Sequence, residues 1–355
     1  ICDEIESYND SPAELIYDEF ENIIFKGSPL GHNILGTAEQ VRSFKTEDAL
    51  RFTRKLYRPD NAIFFAYGDI DFKKLVKLIR KALADDDSGK VAENAANSVG
   101  KLAEEKLPQI SQITQISGDE NSITTEKSVS SVKSVGPEKY PSVGPENYPS
   151  VGKEIAGQTI VVDNRRTPPS LYTPEKLVVH KDTHQAHVMI GTRAYDVNDS
   201  RRMPLYLLNN MLGGPGMNAK LNLALREHNG LVYTVESTMV AYGDTGIWSI
   251  YFGCDEHDVK RCLRLVRKEL DKFMQKPLSE AQLKAAKKQI KGQVGVACDN
   301  RENFALDFGK SFLHYGWEKN VDRLYEQVDE ITAEQIQAVA QELFDKDRLT
   351  TLIFR

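Results

Sequence analysis

Long apolar runs, paired cysteines and a strong charge of one sign are all missing from this 355-residue sequence. No apolar stretch approaches the roughly 18 residues that a membrane-spanning helix needs, so no membrane span is expected. Residue 1 opens no charged-then-apolar leader. The four cysteines (Cys2, Cys254, Cys262 and Cys298) are scattered without a CxxC pair. They read as core or surface thiols rather than a disulfide framework or a zinc knuckle. They fix no compartment, and the cytoplasm and periplasm of a bacterium both stay open. Lys and Arg number 46 against 52 Asp and Glu, for a net charge of −6, and no long basic run stands clear of acidic neighbours. That balance argues against nucleic acid as a partner. Familiar catalytic signatures are missing too: the sequence has no GxSxG, no HExxH and no HxxEH. GGPG at 213–216, with Lys220 after it, fails the GxxxxGK[ST] spacing of a phosphate loop.

What is present is enough for two domains: hydrophobic residues make up 40% of the chain. ICDEIESYND at the start places Ile1, Ile5 and Tyr8 at helical spacing, and Ser11-Pro12 begins a new segment. Thr37-x-x-Gln40 predicts a capping box, and Thr46-Glu-Asp opens a helix over ALRFTRKLY. AIFFAYG at 62–68 reads as a buried strand, and DFKKLVKLIRKAL as an amphipathic helix. From about 86 to 172 the composition turns to Ser, Lys and Glu, with an eight-residue repeat starting at Ser134, Ser142 and Ser150. Its prolines block regular structure, so an interdomain linker is expected, with a proline-rich ligand motif as the alternative. From 173 order returns. EKLVVHKDTHQAHVMIGTRAYD predicts two strands or one bent strand, RRMPLYLLNNML a helix, and MNAKLNLALRE a second helix ended by Gly230. A hairpin is expected around Gly243-Asp-Thr-Gly. DEHDVKRCLRLVRKELDKFMQK then forms a helix stopped by Pro277, and Ser279-x-x-Gln282 caps the next. Strands and helices mixed with hairpins argue an α+β fold.

The sequence also repeats itself. EQVRSFKTEDALRFTRKLYRPDNAIFFAYG (39–68) aligns with EQVDEITAEQIQAVAQELFDKDRLTTLIFR (326–355), with one residue slipped in and one out. LIYDEFENIIFKG matches FALDFGKSFLHYG upstream in pattern. The two ordered segments therefore read as copies of one domain, over 1–85 and 173–355, with 86–172 between them. Residue 1 aligns near 290, and the strands and helices of 173–287 have no counterpart in the first copy. The first copy is expected to be truncated.

Candidate functional residues are few. His180, His184 and His187 cluster, but the alternation around them says strand, where residues four apart stand well separated. Glu227-His228 and Glu256-His257 are not ends of HxxEH, because Ala224 and Gly253 occupy the positions that would need histidine. Arg226, in the last turn of a helix, and Tyr233, entering a strand, could present a guanidinium and a phenol to one side of a cleft. Two such donors could hold an oxyanion at an acyl-transfer site. The alternative is an Arg complementing a helix C-terminus and a Tyr packed in a strand. Glu4 alone reads as a surface carboxylate.

Three stretches taken together resemble the pitrilysin-type zinc metallopeptidases, the family of insulin-degrading enzyme and the mitochondrial processing peptidase. They are LGGPGMNAKLNLALREHNGLVYTVES with GDTG after it, DSPAELIYDEF…FKGSPLGHNILGTAEQV, and TEDALRFTRKLYRPDNAIFFAYGDID. The resemblance implies duplicated α+β domains that close around an extended peptide, in homo- or heterodimers. It implies zinc held by the two His of HxxEH and by a Glu on a later helix; the matching residue is Glu4. It also implies that Arg226 and Tyr233 reach the substrate carbonyl from the second domain. HxxEH itself is absent, so this chain alone is expected to be inactive. The full-length protein is expected to be a zinc-dependent endopeptidase acting on peptides or unfolded segments. The rival expectation is a non-catalytic partner or structural subunit of a heterodimer; a scaffold working through the SVGPE repeats is a third.

Overall fold

The computed structural model describes residues 1–84, 154–155, 158–159, 169, 172–181, 183–315 and 320–355. The repeats at Ser134, Ser142 and Ser150 lie outside them. In chain order the main elements are α1 (Cys2–Asn9), α2 (Pro12–Ile24), α3 (Ala38–Ser43), α4 (Thr46–Leu56) and α5 (Phe72–Ala84). Then come β1 (Lys176–Val179), β2 (Ala186–Ala194), α6 (Arg202–Gly213), a π-helical turn (Asn222–Glu227), β3 (Val232–Ala241) and β4 (Gly246–Cys254). The chain closes with α7 (Val259–Gln275), α8 (Glu280–Asp299), α9 (Arg301–Tyr315), α10 (Val321–Glu330), α11 (Ala333–Leu343) and β5 (Thr350–Phe354). The fold is mixed α and β. The chain divides into two compact units, residues 1–48 with 165–355, and residues 49–164.

The first unit is built on a five-stranded sheet in the order β1-β5-β2-β4-β3. β1 and β5 are parallel; the remaining pairs are antiparallel. The stretch 175–196 thus forms two strands, and they are not neighbours: the last strand of the chain slips between them. Side chains alternate faces along a strand, and the sequence exploits both faces here. Val188, Ile190, Trp248, Ile250, Phe252 and Ile353 point to one side, where they pack with buried residues of α6, α7 and α11. Met189, Ile247, Tyr251, Leu352 and Phe354 point to the other, under Leu15, Ile16, Phe20 and Ile24 of α2. β4 is buried at every position, so the strand reads as a near-continuous apolar run. Full burial of each large apolar side chain contributes about 1.5–3 kcal/mol.

Polar groups around Trp248 are paired. The Trp248 indole N–H donates to Ser237 Oγ at 3.0 Å and to Asn209 Oδ1 at 3.2 Å. The Ser237 hydroxyl donates to the same Asn209 oxygen at 2.6 Å, and Asn209 Nδ2 returns a bond to the Ser237 carbonyl at 3.0 Å. This knot joins α6, β3 and β4. Close backbone approach makes the neighbouring glycine necessary: a Cβ on Gly191 would sit 2.2 Å from the Trp248 carbonyl oxygen.

Local signals placed the helices. Thr37 and Ser279 each accept from the backbone N–H three residues on, while Gln40 and Gln282 reach back, as the capping boxes required. Thr332 with Gln335 forms a third box ahead of α11. α7 buries Val259, Cys262, Val266, Leu270 and Phe273 on one stripe and ends at Gln275, before Pro277. The hairpin between β3 and β4 turns over 242–245, closed by Tyr242 N–H to the Thr245 carbonyl at 2.8 Å.

The second unit holds most of α4, a 3-10 turn at Pro59–Asn61, α5, and a two-stranded antiparallel ladder of Glu154–Ile155 with Gln158–Thr159. The strand expected over 62–68 is not there. That segment forms no sheet, and Phe64, Phe65 and Tyr67 are exposed. A β-strand is completed by its neighbours, and among the described residues no strand pairs with this one.

Candidate functional site

Arg226 and Tyr233 flank a single turn, and that turn is firmly held. Arg226 lies in the π-helical turn, where the His228 N–H bonds to the Leu223 carbonyl at 3.0 Å, five residues back. A helix end leaves its last carbonyls without partners. Here Leu223 takes His228, Ala224 takes the Asn229 side-chain amide at 2.7 Å, Leu225 takes the Leu231 N–H at 2.9 Å, and Arg226 takes the Gly230 N–H at 2.8 Å. Arg261 of α7 braces the turn from outside, donating to Asn229 Oδ1 at 2.9 Å. Gly230 reverses the chain at φ +62°, a left-handed conformation that favours glycine. Leu221, Ala224 and Leu225 are buried beneath, so the turn is anchored in the core.

Tyr233 follows at once, on a β-bulge. Val232 pairs with Cys254 and Val235 with Phe252, so Tyr233 and Thr234 together oppose Gly253 alone. A bulge re-aims side chains at the end of a strand. The Tyr233 side chain is 82% exposed and that of Arg226 52% exposed, with the guanidinium 4.0 Å from Glu227. Both are thus offered to solvent from a rigid base. Neither the π-turn nor the bulge has a signal in the sequence: LVYTVES alternates like any strand, and LNLALRE scans as an ordinary helix.

Glu4 sits on α1, exposed, with Ile5 as the buried residue of that helix. Among the described residues no hydrogen bond joins it to Arg226 or Tyr233. Of the clustered histidines, His187 lies in β2 as the alternation required, half-buried, with Nδ1 2.9 Å from the Tyr251 hydroxyl. Burial lowers its pKa. His180 and His184 are exposed.

A catalytic zinc takes three protein ligands and a water. Glu4 belongs, among the described residues, to no group of three or more His, Cys, Asp or Glu side chains close enough to share an ion. Among the described residues the one set able to meet a cation is Asp255, His257 and Asp258, at the surface ahead of α7. No set of side chains among the described residues therefore fits a catalytic zinc centre.

Sequence comparison places the molecule first in a class: the family described as the peptidase M16 inactive domain matches residues 43–290. The chain belongs to this family, in keeping with the pitrilysin-type resemblance. It is 25% identical over 346 residues to an uncharacterized zinc protease of Streptomyces coelicolor, covering 98% of this chain and 61% of the relative. It is 24% identical to the uncharacterized zinc protease YmxG of Bacillus subtilis, covering 99% of this chain and 68% of that one. The chain thus spans about three-fifths to two-thirds of the relatives it matches. Among solved structures, a protease from Helicobacter pylori superposes with a TM-score of 0.68 at 17% identity, over 100% of this chain and 69% of the other. A peptidase M16 inactive domain from Pseudomonas fluorescens gives 0.64 at 15% identity, over 99% and 68%. These likenesses show the fold.

Proposed function

We propose that this chain is the substrate-carbonyl side of a zinc-dependent metalloendopeptidase, acting on peptides or unfolded segments within a longer protein. The observation that carries the reading is the braced turn flanked by Arg226 and Tyr233, seven residues apart and both exposed, on a chain of the M16 family. As a peptide carbonyl becomes tetrahedral, charge gathers on its oxygen. The Arg226 guanidinium and the Tyr233 hydroxyl, donating to that oxygen, stabilise the charge, and donors fixed in advance need no reorganisation to do so. Glu4 is assigned as one metal ligand, to be completed by a histidine pair that this chain does not carry. The segments 1–85 and 173–355 are taken as copies of one domain joined by 86–172, in a homo- or heterodimer.

A second reading is favoured by two observations, that the family is described as an inactive domain and that the chain has no HxxEH. In it, the chain is a non-catalytic partner or structural subunit.

The protein made from its native gene tests both. On the first reading it hydrolyses unfolded casein, and Arg226→Ala and Tyr233→Phe each lower kcat by about 10²–10³ with KM little changed, the usual cost of one oxyanion donor. Glu4→Gln strips its zinc. Hydrolysis at the parent rate in both donor variants overturns the assignment, and a product with no hydrolysis and no HxxEH establishes the partner reading.

A further inference from the structure

α2 is seated on the same sheet that carries Tyr233, and its seat is directional. Leu15, Ile16, Phe20, Ile24 and Phe25 are buried on the outer sheet face. Apolar contact of this kind is non-directional and leaves a helix free to slide or roll by small amounts. Two polar connections remove that freedom. Arg193 of β2 donates from Nε at 3.0 Å and Nη2 at 2.8 Å to the Ile24 carbonyl, and its guanidinium lies over Phe25 and Tyr172. Further along α2, the Tyr17 hydroxyl donates to the Glu236 carboxylate. The Tyr17 ring packs 5.2 Å from that of Tyr251, the cross-strand partner of Glu236, and Tyr251 is in turn bonded to His187.

Both ends of this contact lead to the proposed site. Glu236 stands three residues beyond Tyr233 on β3. Tyr17 stands one short connection from α1, and that connection is tied: Ser11 N–H bonds to the Tyr8 carbonyl at 3.1 Å and the Tyr8 hydroxyl to the Glu14 carbonyl at 3.2 Å. A charge-assisted bond to a carboxylate is the stronger and more directional kind. Burial and the adjacent carboxylate push the Tyr17 phenol well above its ordinary range, so it remains a donor at any working pH.

We propose that Tyr17 and Glu236 are positioning residues, a latch that fixes α1 and its Glu4 relative to the bulge that presents Tyr233. The significance of that distance rests on the function proposed above, but the latch itself can be measured on this chain alone. Glu4→p-acetylphenylalanine and Tyr233→p-acetylphenylalanine, both at exposed positions, accept nitroxide labels without touching the cysteines, and pulsed dipolar spectroscopy reads the distance between them. The parent chain gives one narrow distribution. Tyr17→Phe and Glu236→Ala each broaden and shift it, while Glu236→Gln, which keeps an acceptor oxygen, restores the parent distribution. A bond that served stability alone would lower the melting midpoint and leave the distribution of the folded protein unmoved. A broad distribution in the parent, or a parent-like one in Tyr17→Phe, overturns the latch. Tyr17→Phe removes a single oxygen, so it decides the matter even where Glu236→Ala does not fold. None of these outcomes depends on hydrolysis, so loss of the latch and loss of the Arg226/Tyr233 assignment are told apart.

Discussion

LTTLIFR at 349–355 and AIFFAYG at 62–68 occupy matching places in the internal repeat and end differently. Each follows a helix and a 3-10 turn: α11 with Lys346–Arg348, α4 with Pro59–Asn61. Beyond that turn the first becomes β5, between β1 and β2, with Leu352, Ile353 and Phe354 buried. The second joins no sheet among the described residues, and its Phe64 is 67% exposed. Helices and turns close their own hydrogen bonds and are decided by nearby residues. A strand is decided by whatever lies beside it.

The contrast is sharpest in hydrogen exchange. Amides of 350–354 should open only with the sheet as a whole, and those of 62–68, which pair with no described strand, should exchange sooner. Comparable protection in the two segments would overturn this difference. Next in size is side-chain deletion. Phe354→Ala should cost about 3–5 kcal/mol in denaturant unfolding, whereas Phe64→Ala, on an exposed segment, should stay within about 0.5 kcal/mol. Smaller and more even are the caps. Thr37→Ala and Thr332→Ala should each cost about 1 kcal/mol. A cap is a local interaction, so the two losses should agree although the strands downstream do not.

The smallest effect is a slope in pH. Burial holds His187 below its ordinary value of 6.5, so the unfolded chain takes up this proton before the native one. Stability from neutral His187 is complete above pH 6.5 and is lost as pH falls below it. Asp18 and Glu21 on α2 act in the opposite sense: burial raises their carboxyl pKa values, so acid through the carboxylate range favours the native state. His187→Gln should flatten the slope just below pH 6.5 and leave the lower one, as followed by the thermal midpoint.

Much of this architecture is legible in the sequence wherever the cause is local. Thr37 and Ser279 announce their helices, Gly230 its left-handed turn, and the α7 stripe its buried face. The sequence offered Arg226 and Tyr233 as candidates, and the resemblance raised them, but neither said how they are held. The π-turn depends on donors from Asn229, Gly230 and Leu231 meeting carbonyls at unusual separations, and the bulge on a two-against-one register with Gly253. Neither leaves a mark on hydrophobic periodicity. Likewise nothing local in TTLIF says that it will part β1 from β2, and nothing in LIYDEF says that Tyr17 will find Glu236, 219 residues away.

On the function proposed above, this chain contributes a ligand and two oxyanion donors but no zinc centre of its own. Zinc retention by the purified chain, dialysed against metal-free buffer after loading and assayed with fluorogenic casein, tests it most directly. The account predicts that zinc is lost and casein stays intact. One zinc held per chain, with cleavage abolished by Glu4→Gln, would contradict it.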